Sequence, residues 1–309
     1  METKIYKNIL KKFFVTITIK RSICSASLYV HWPYCRKRCM YCNFNKYISN
    51  SVDHSRMRSC LMKETATLLN LSGVQKISSI FFGGGTPSLA EPYTIQSVLK
   101  TAAGCGMLPD DVEVSMEVNP TAFQASRLRE FKESGINRVS IGVQTLQADG
   151  LHILGRDHSV KESLSCLESA RLLFPGKVSL DLIFGWPGQT MDMWVRELEQ
   201  IVKVCDNHLS LYQLTVEQGT RLFTLVQTGK LCLASSHPIV SCSGAHGRFT
   251  RAGYSQKEAR IQTPVPEAWM DEVEKRGHGT RSVTPLSSQE RLEELLVVGL
   301  RTRWGISHK

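Results

Sequence analysis

The chain has 309 residues, of which 42% are hydrophobic, 21% charged and 8% aromatic, with ten cysteines and a formal net charge of +10. That length suits one large α/β domain or two smaller ones, and the composition excludes both a small disulfide-stapled fold and a disordered chain. No stretch reaches the roughly 18 apolar residues that a membrane-spanning helix needs; the nearest, Phe13 to Ile19, is short and broken by threonines.

Residues Met1 to Ile23 carry Lys4, Lys7, Lys11, Lys12, Lys20 and Arg21 against Glu2 alone. A basic, acid-poor segment with interspersed apolar residues fits an organelle transit peptide over 1–25, with a solvated basic tail as the alternative. The remaining positive charge is spread out, without a basic stripe interleaved with aromatics, so no nucleic-acid surface is expected.

From residue 26 onward the pattern alternates. Leu28 to Trp32 reads as a short strand ending at a cysteine loop, and Asp53 to Leu71 as a helix. The β-rich run Ile77 to Phe82 ends in Gly83-Gly84-Gly85-Thr86-Pro87, and Thr94 to Cys105 is helical. Val112 to Val118 is a strand, Ala122 to Ser134 a helix, Arg138 to Val143 a strand and Val160 to Leu173 a helix. Val178 to Phe184 is a strand, Met191 to Cys205 a helix and Leu209 to Leu214 a sixth strand. Strands separated by amphipathic helices make βα units and a parallel sheet. Polar and glycine-rich features sit at the C-terminal ends of the strands, where β/α barrels place their functional loops. Six such units predict an incomplete barrel. Beyond them Ala234 to Val283 reads as irregular, and Gln289 to Leu300 as one amphipathic helix.

Seven cysteines are scattered singly, as buried thiols of a reducing compartment are. Three cluster as C-x3-C-x2-C: Cys35, Cys39 and Cys42. A closed structural zinc site takes four ligands, usually as two pairs, and no second pair exists here. Three thiolates suit a 4Fe-4S cluster with one iron left open, and Arg36, Lys37 and Arg38 favour the thiolate form. A spatially assembled zinc site and chance clustering are the alternatives.

The triad resembles that of radical S-adenosylmethionine (SAM) proteins, whose core is a partial (β/α)6 barrel. The resemblance extends through Leu28-Tyr29-Val30-His31-Trp32-Pro33, Gly83 to Ser88, Glu117-Val118-Asn119-Pro120 and Gly142-Val143-Gln144-Thr145. It continues through Leu154-Gly155-Arg156-Asp157-His158, Asp181 to Thr190 and Leu211-Tyr212-Gln213-Leu214. This series is similar to the subfamily containing oxygen-independent coproporphyrinogen dehydrogenase and the HemW-like haem chaperones. Phe44 stands where the dehydrogenase branch has a further cysteine, which points to the chaperone branch. Gly244 to Phe249, Gly277 to Arg281 and Gly299 to Thr302 resemble its animal, mitochondrial members.

The resemblance implies an α/β fold: a radical SAM barrel over 26–222, then a shortened, partly irregular remnant of the C-terminal region over 223–309. It implies that Cys35, Cys39 and Cys42 ligate a 4Fe-4S cluster. Tyr29, Tyr41, Gly84, Gly85, Thr86, Glu117, Gln144, Arg156 and Asp181 would hold SAM. Taken singly, each has an ordinary reading: a strand-end turn for the glycines, a solvated strand end for Glu117, a local pair for Arg156 or Asp181. Haem, a haem-accepting protein and a reducing electron donor follow as partners, in mitochondria, with the cytoplasm as the alternative. The competing functions are a radical SAM oxidoreductase acting on a porphyrinogen and a non-functional form. The last arises because a His-Asn-x-x-Tyr-Trp motif linked to haem in the family is absent. The chain jumps from Leu233 almost directly to Gly244, which implies an internal loss of several tens of residues, and it stops short of the family's C-terminal accessory domain.

Overall fold

The computed structural model describes residues 25–49, 51–206, 208–231, 246–250 and 257–287, with 246–250 and 257–260 described by backbone alone. The basic segment ahead of residue 25 and the helix expected over Gln289 to Leu300 lie outside the described residues.

Six strands form one parallel sheet: β1 (Ser25–Trp32), β4 (Lys76–Gly84), β5 (Glu113–Val118), β6 (Arg138–Gln144), β7 (Val178–Phe184) and β8 (His208–Gln213), hydrogen-bonded in that order. The sheet curls into a half-barrel. Strand alternation divides its faces. Met116 on β5, Ile141 on β6 and Leu180 on β7 are wholly buried against the helical layer. Their neighbours of opposite parity, Glu117, Ser140 and Asp181, turn to the concave side.

The helical layer contains α1 (His54–Ser72), α2 (Pro92–Gly104), α3 (Ala122–Ala125), α4 (Leu128–Glu133), α5 (Ala148–Leu154), α6 (Val160–Leu173), α7 (Met191–Val204) and α8 (Arg221–Gln227). Local chemistry sets several ends. The Asp53 carboxylate accepts the Arg56 N–H at 2.9 Å at the start of α1. Ser159 and Glu162 close a reciprocal capping box on α6. The single helix expected over Ala122 to Ser134 is two, α3 and α4, interrupted at Ser126-Arg127. Helix α5 was not expected; it is only seven residues long, too short to show a period.

The expectation of an irregular Ala234 to Val283 is corrected. Within it stand β9 (His246–Thr250), β10 (Lys257–Gln262), helix α9 (Pro266–Arg276) and β11 (Thr280–Pro285). The strands form an antiparallel sheet in the order β11-β10-β9. Short strands rich in charge gave no clean alternation, and the pairing between them supplies the order instead. Helix α9 packs back on α1: Met270 and Val273 join the main core. Arg56 donates to both oxygens of Glu274 at 2.7 and 3.0 Å and also pairs with Asp271. Among the described residues no helix is long and apolar enough to cross a membrane.

Candidate functional site

The cysteine loop leaves β1 and is bracketed by a two-residue parallel pairing of β2 (Tyr34–Cys35) with β3 (Tyr47–Ile48). Backbone bonds pin its middle: Met40 N–H to Leu154 O at 3.0 Å, and Leu222 N–H to Met40 O at 2.9 Å. Lys46 donates to the Cys42 carbonyl at 2.5 Å. The loop therefore stands against α5 and α8, at the C-terminal mouth of the half-barrel.

There it walls a cavity of about 560 Å³. Cys35, Cys39 and Cys42 line it, opposite Glu117, Gln144 and Asp181 from β5, β6 and β7. Tyr41, Arg156 and the Gly84-Gly85-Thr86 turn line it as well. Tyr29 alone of the expected residues is elsewhere: it lines a separate groove beside β1, with its hydroxyl 3.3 Å from His31 Nδ1.

The glycine turn is shaped for close approach. Gly84 has φ +114°, and a Cβ there would lie 2.5 Å from the His31 ring. A Cβ on Gly85 would lie 2.8 Å from the Tyr34 carbonyl oxygen. Neither position admits a side chain without backbone movement. The Thr86 hydroxyl donates to the Cys35 sulfur at 3.3 Å.

Arg156 organises the polar wall. Its Nη1 donates to the Cys39 sulfur at 3.3 Å and to the Tyr41 hydroxyl at 3.4 Å. Its Nη2 donates to Asn119 Oδ1 at 2.5 Å and to the Gly142 carbonyl at 3.3 Å. Its buried Nε has no protein partner. Asn119 in turn donates to Asp157 at 3.0 Å. Burial pushes the Glu117 carboxyl up to about 7; the Gly84 N–H at 3.1 Å opposes this and nearby Asp181 adds to it. Burial also raises Asp181, against two bonds from the Ser140 hydroxyl at 3.0 and 3.1 Å.

The donor set fits a cluster better than a single ion. Burial pushes the Cys35 thiol up to about 11, and the two other thiols push it further in the same direction. Such a group gives up its proton when a metal takes the proton's place. A closed zinc site takes four ligands, and the cavity lining brings three thiols, those of Cys35, Cys39 and Cys42. Three thiols lining one cavity suit a cluster in which each would bind a different iron.

Several contributors escaped the sequence reading. Glu197 on α7 is wholly buried and accepts the Thr145 hydroxyl at 2.6 Å and the Leu146 N–H. It anchors the turn that follows Gln144, a non-glycine residue at φ +68°. Asn119 stands within the Glu117-to-Pro120 motif, and its bridging role between Arg156 and Asp157 has no signature in spacing. A buried carboxylate on a helix reads from sequence as surface charge.

A family model described as the Radical SAM superfamily matches residues 29–201. The mitochondrial radical S-adenosyl methionine domain-containing protein 1 of Danio rerio is 47% identical over 330 residues, covering 92% of this chain and 74% of that one. Those 330 positions exceed by about 46 the roughly 284 residues that 92% of this chain represents, so the relative carries internal residues with no counterpart here. The haem chaperone HemW of Bacillus subtilis is 31% identical, covering 92% of this chain and 85% of its own. Among solved structures, coproporphyrinogen III oxidase (HemN) of Escherichia coli superposes with a TM-score of 0.67 at 19% identity, over 89% of this chain and 75% of that one.

Proposed function

The chain belongs to the radical SAM superfamily, and from that membership we propose that it is a mitochondrial haem chaperone carrying a SAM-coordinated 4Fe-4S cluster. The observation that carries the cofactor assignment is the convergence of Cys35, Cys39 and Cys42 on one cavity with Arg156, Glu117 and Asp181. The chaperone assignment draws on the similarity to a haem chaperone over 85% of that relative's length. Localisation follows the relatives named as mitochondrial.

When bound, the cluster and SAM supply one-electron chemistry; the protein positions them and excludes water. Cys35, Cys39 and Cys42 would ligate three irons. Arg156 sets a fixed positive charge beside the Cys39 sulfur, and its second nitrogen, held by Asn119 and Gly142, keeps the fork in one orientation. Gly84 and Gly85 let backbone approach the methionyl end of SAM. Glu117, with its carboxyl pushed up to about 7, both accepts and donates near neutral pH, which suits a ribose hydroxyl or an amino group. Gln144 and Asp181 complete that wall. Tyr41, whose hydroxyl accepts from Arg156, would pack against the cofactor, and Tyr29 would act through its hydroxyl's contact with His31. Phe44, 57% exposed at the cavity's rim, offers an apolar face to a planar cargo such as haem. A one-electron donor and a haem-accepting protein complete the cycle.

The test begins with anaerobic reconstitution of the chain with iron and sulfide, reduction, and electron paramagnetic resonance with and without SAM. A reduced 4Fe-4S signal that shifts on adding SAM is expected, followed by haem binding and its delivery to an apoprotein. A cluster indifferent to SAM overturns the cofactor assignment. A SAM-responsive cluster without haem binding overturns the chaperone assignment, and turnover of coproporphyrinogen III would replace it with the oxidoreductase.

A further inference from the structure

From Ser25 to Val52 the chain contains no aspartate or glutamate, against Arg36, Lys37, Arg38 and Lys46. Lys46 is accounted for: it is buried and donates to the Cys42 carbonyl. Arg36, Lys37 and Arg38 are exposed. From sequence alone their charge is expected to favour the thiolates. The contacts to sulfur are made by others, Thr86 on Cys35 and Arg156 on Cys39. Among the described residues, none of the three loop cations donates to a sulfur or pairs with a carboxylate.

Two of the three are nonetheless held in place. The Arg36 guanidinium lies 4.5 Å over the Phe123 ring of α3, which Arg127 also approaches, at 5.5 Å. Phe123 is 46% exposed, so this stack is a shelf at the surface. Lys37 Nζ donates to the Arg156 carbonyl at 3.3 Å, at the rim of the cavity. Arg36 directly follows Cys35 and Arg38 directly precedes Cys39. The Cα of each arginine is therefore about 3.8 Å from that of a cysteine.

Three neighbouring cations without counter-charges repel one another, and an acidic surface laid on them relieves the repulsion. Such a face speeds encounter with acidic partners and turns away basic ones. Its position narrows the choice of partner. Anything seated on Arg36, Lys37 and Arg38 covers the loop that carries two of the three thiols.

We propose that Arg36, Lys37 and Arg38, with Phe123 as the apolar centre, form the docking face for an acidic one-electron carrier protein. This rests on the cofactor reading above. In the docked pair the carrier is oxidised by one electron and the cluster reduced by one, and no bond breaks.

The test is calorimetric titration of the full chain with a plant-type 2Fe-2S ferredoxin, a small acidic one-electron carrier. Binding is expected at low salt and should weaken by about tenfold or more between roughly 0.01 and 0.15 M ionic strength. The double variant Arg36→Gln, Arg38→Gln should raise Kd about tenfold and flatten that salt dependence. The pair Lys76→Gln, Lys100→Gln removes the same charge from the other end of the barrel and should bind as wild type. Lysozyme, a basic protein, should not bind. On the iron-loaded chain, Arg36→Gln with Arg38→Gln should slow reduction by ferredoxin about tenfold and leave reduction by dithionite within about twofold. Undiminished ferredoxin binding by that variant, or an equal loss in the Lys76 and Lys100 pair, overturns the proposal. Single-stranded DNA binding as tightly as ferredoxin would mark a general polyanion patch and overturn it equally. Iron content and the SAM-responsive signal are read on the same samples. Loss of the cluster therefore counts against the cofactor reading, and loss of docking with the cluster present against this one.

Discussion

The guanidinium of Arg156 stands 3.3 Å from the Cys39 sulfur, 117 residues away in the chain. The contact ties the cysteine loop to the loop after α5, and so couples the cluster wall to the wall proposed for SAM. Arg156→Ala is expected to weaken SAM binding by at least about tenfold, the ~1.4 kcal/mol of a charge-assisted contact. Arg156→Lys should recover little, because one ammonium cannot reach both Cys39 and Asn119 as the planar fork does. Calorimetric titration of SAM into the cluster-loaded variants measures both.

Cys35→Ala, Cys39→Ala and Cys42→Ala are each expected to abolish iron and sulfide retention after anaerobic reconstitution. Cys105→Ser, at a partly exposed thiol outside the cavity, should retain both at the wild-type level. Chemical analysis of iron and sulfide per chain separates the two groups.

Gly85→Ala should be costly, because its Cβ would press on the Pro33 and Tyr34 carbonyls. A loss of about 2–4 kcal/mol is expected, read as a fall of several degrees in Tm, together with weaker SAM binding. Gly176→Ala is the control. Its φ is +69° but a Cβ would meet nothing, so the cost should be only the backbone's, about 1 kcal/mol.

Glu64 sits beneath Trp269, accepting the Gly279 N–H at 2.7 Å and the Trp269 indole N–H at 3.3 Å. Burial still pushes its carboxyl up to about 7. The folded chain thus holds this proton where the unfolded chain has lost it. The stability from this group is fully present below about pH 4.5 and is lost as pH rises toward 7, with a slope approaching 1.4 kcal/mol per pH unit. Glu64→Gln keeps both accepted bonds and should flatten the denaturation-midpoint profile across that window. An unchanged profile would show that the carboxyl is ionised throughout.

Much of the barrel was legible because its signals are local. The start of α6 follows from the capping box at Ser159 and Glu162, and β7 from the β-rich run Val178-Ser179-Leu180-Asp181-Leu182-Ile183-Phe184 bounded by Gly176 and Gly185. The cavity residues were legible as a set through motif resemblance, since the motifs fall on the strands and on the loops that follow them. What stayed hidden depends on partners distant in sequence. The order in β9 to β11 comes from mutual pairing, Glu197 acquires its role only when α7 covers Thr145, and Tyr29 lines the β1 groove with its hydroxyl against His31. The irregular spacing of charge in Lys257 to Gln262 carried no hint of the sheet it joins.

The clasp between Arg56 and Glu274 has a cost in time. Each parallel strand of the half-barrel pairs with one that precedes it closely in the chain, so the sheet can grow in step with synthesis. Helix α1 cannot be finished that way, since the residues that cover it arrive 218 positions later. At ribosomal speeds of about 5–20 residues per second, its apolar flank waits roughly 10–40 seconds for α9. Through that interval the part of α1 that meets Met270 and Val273 stays uncovered.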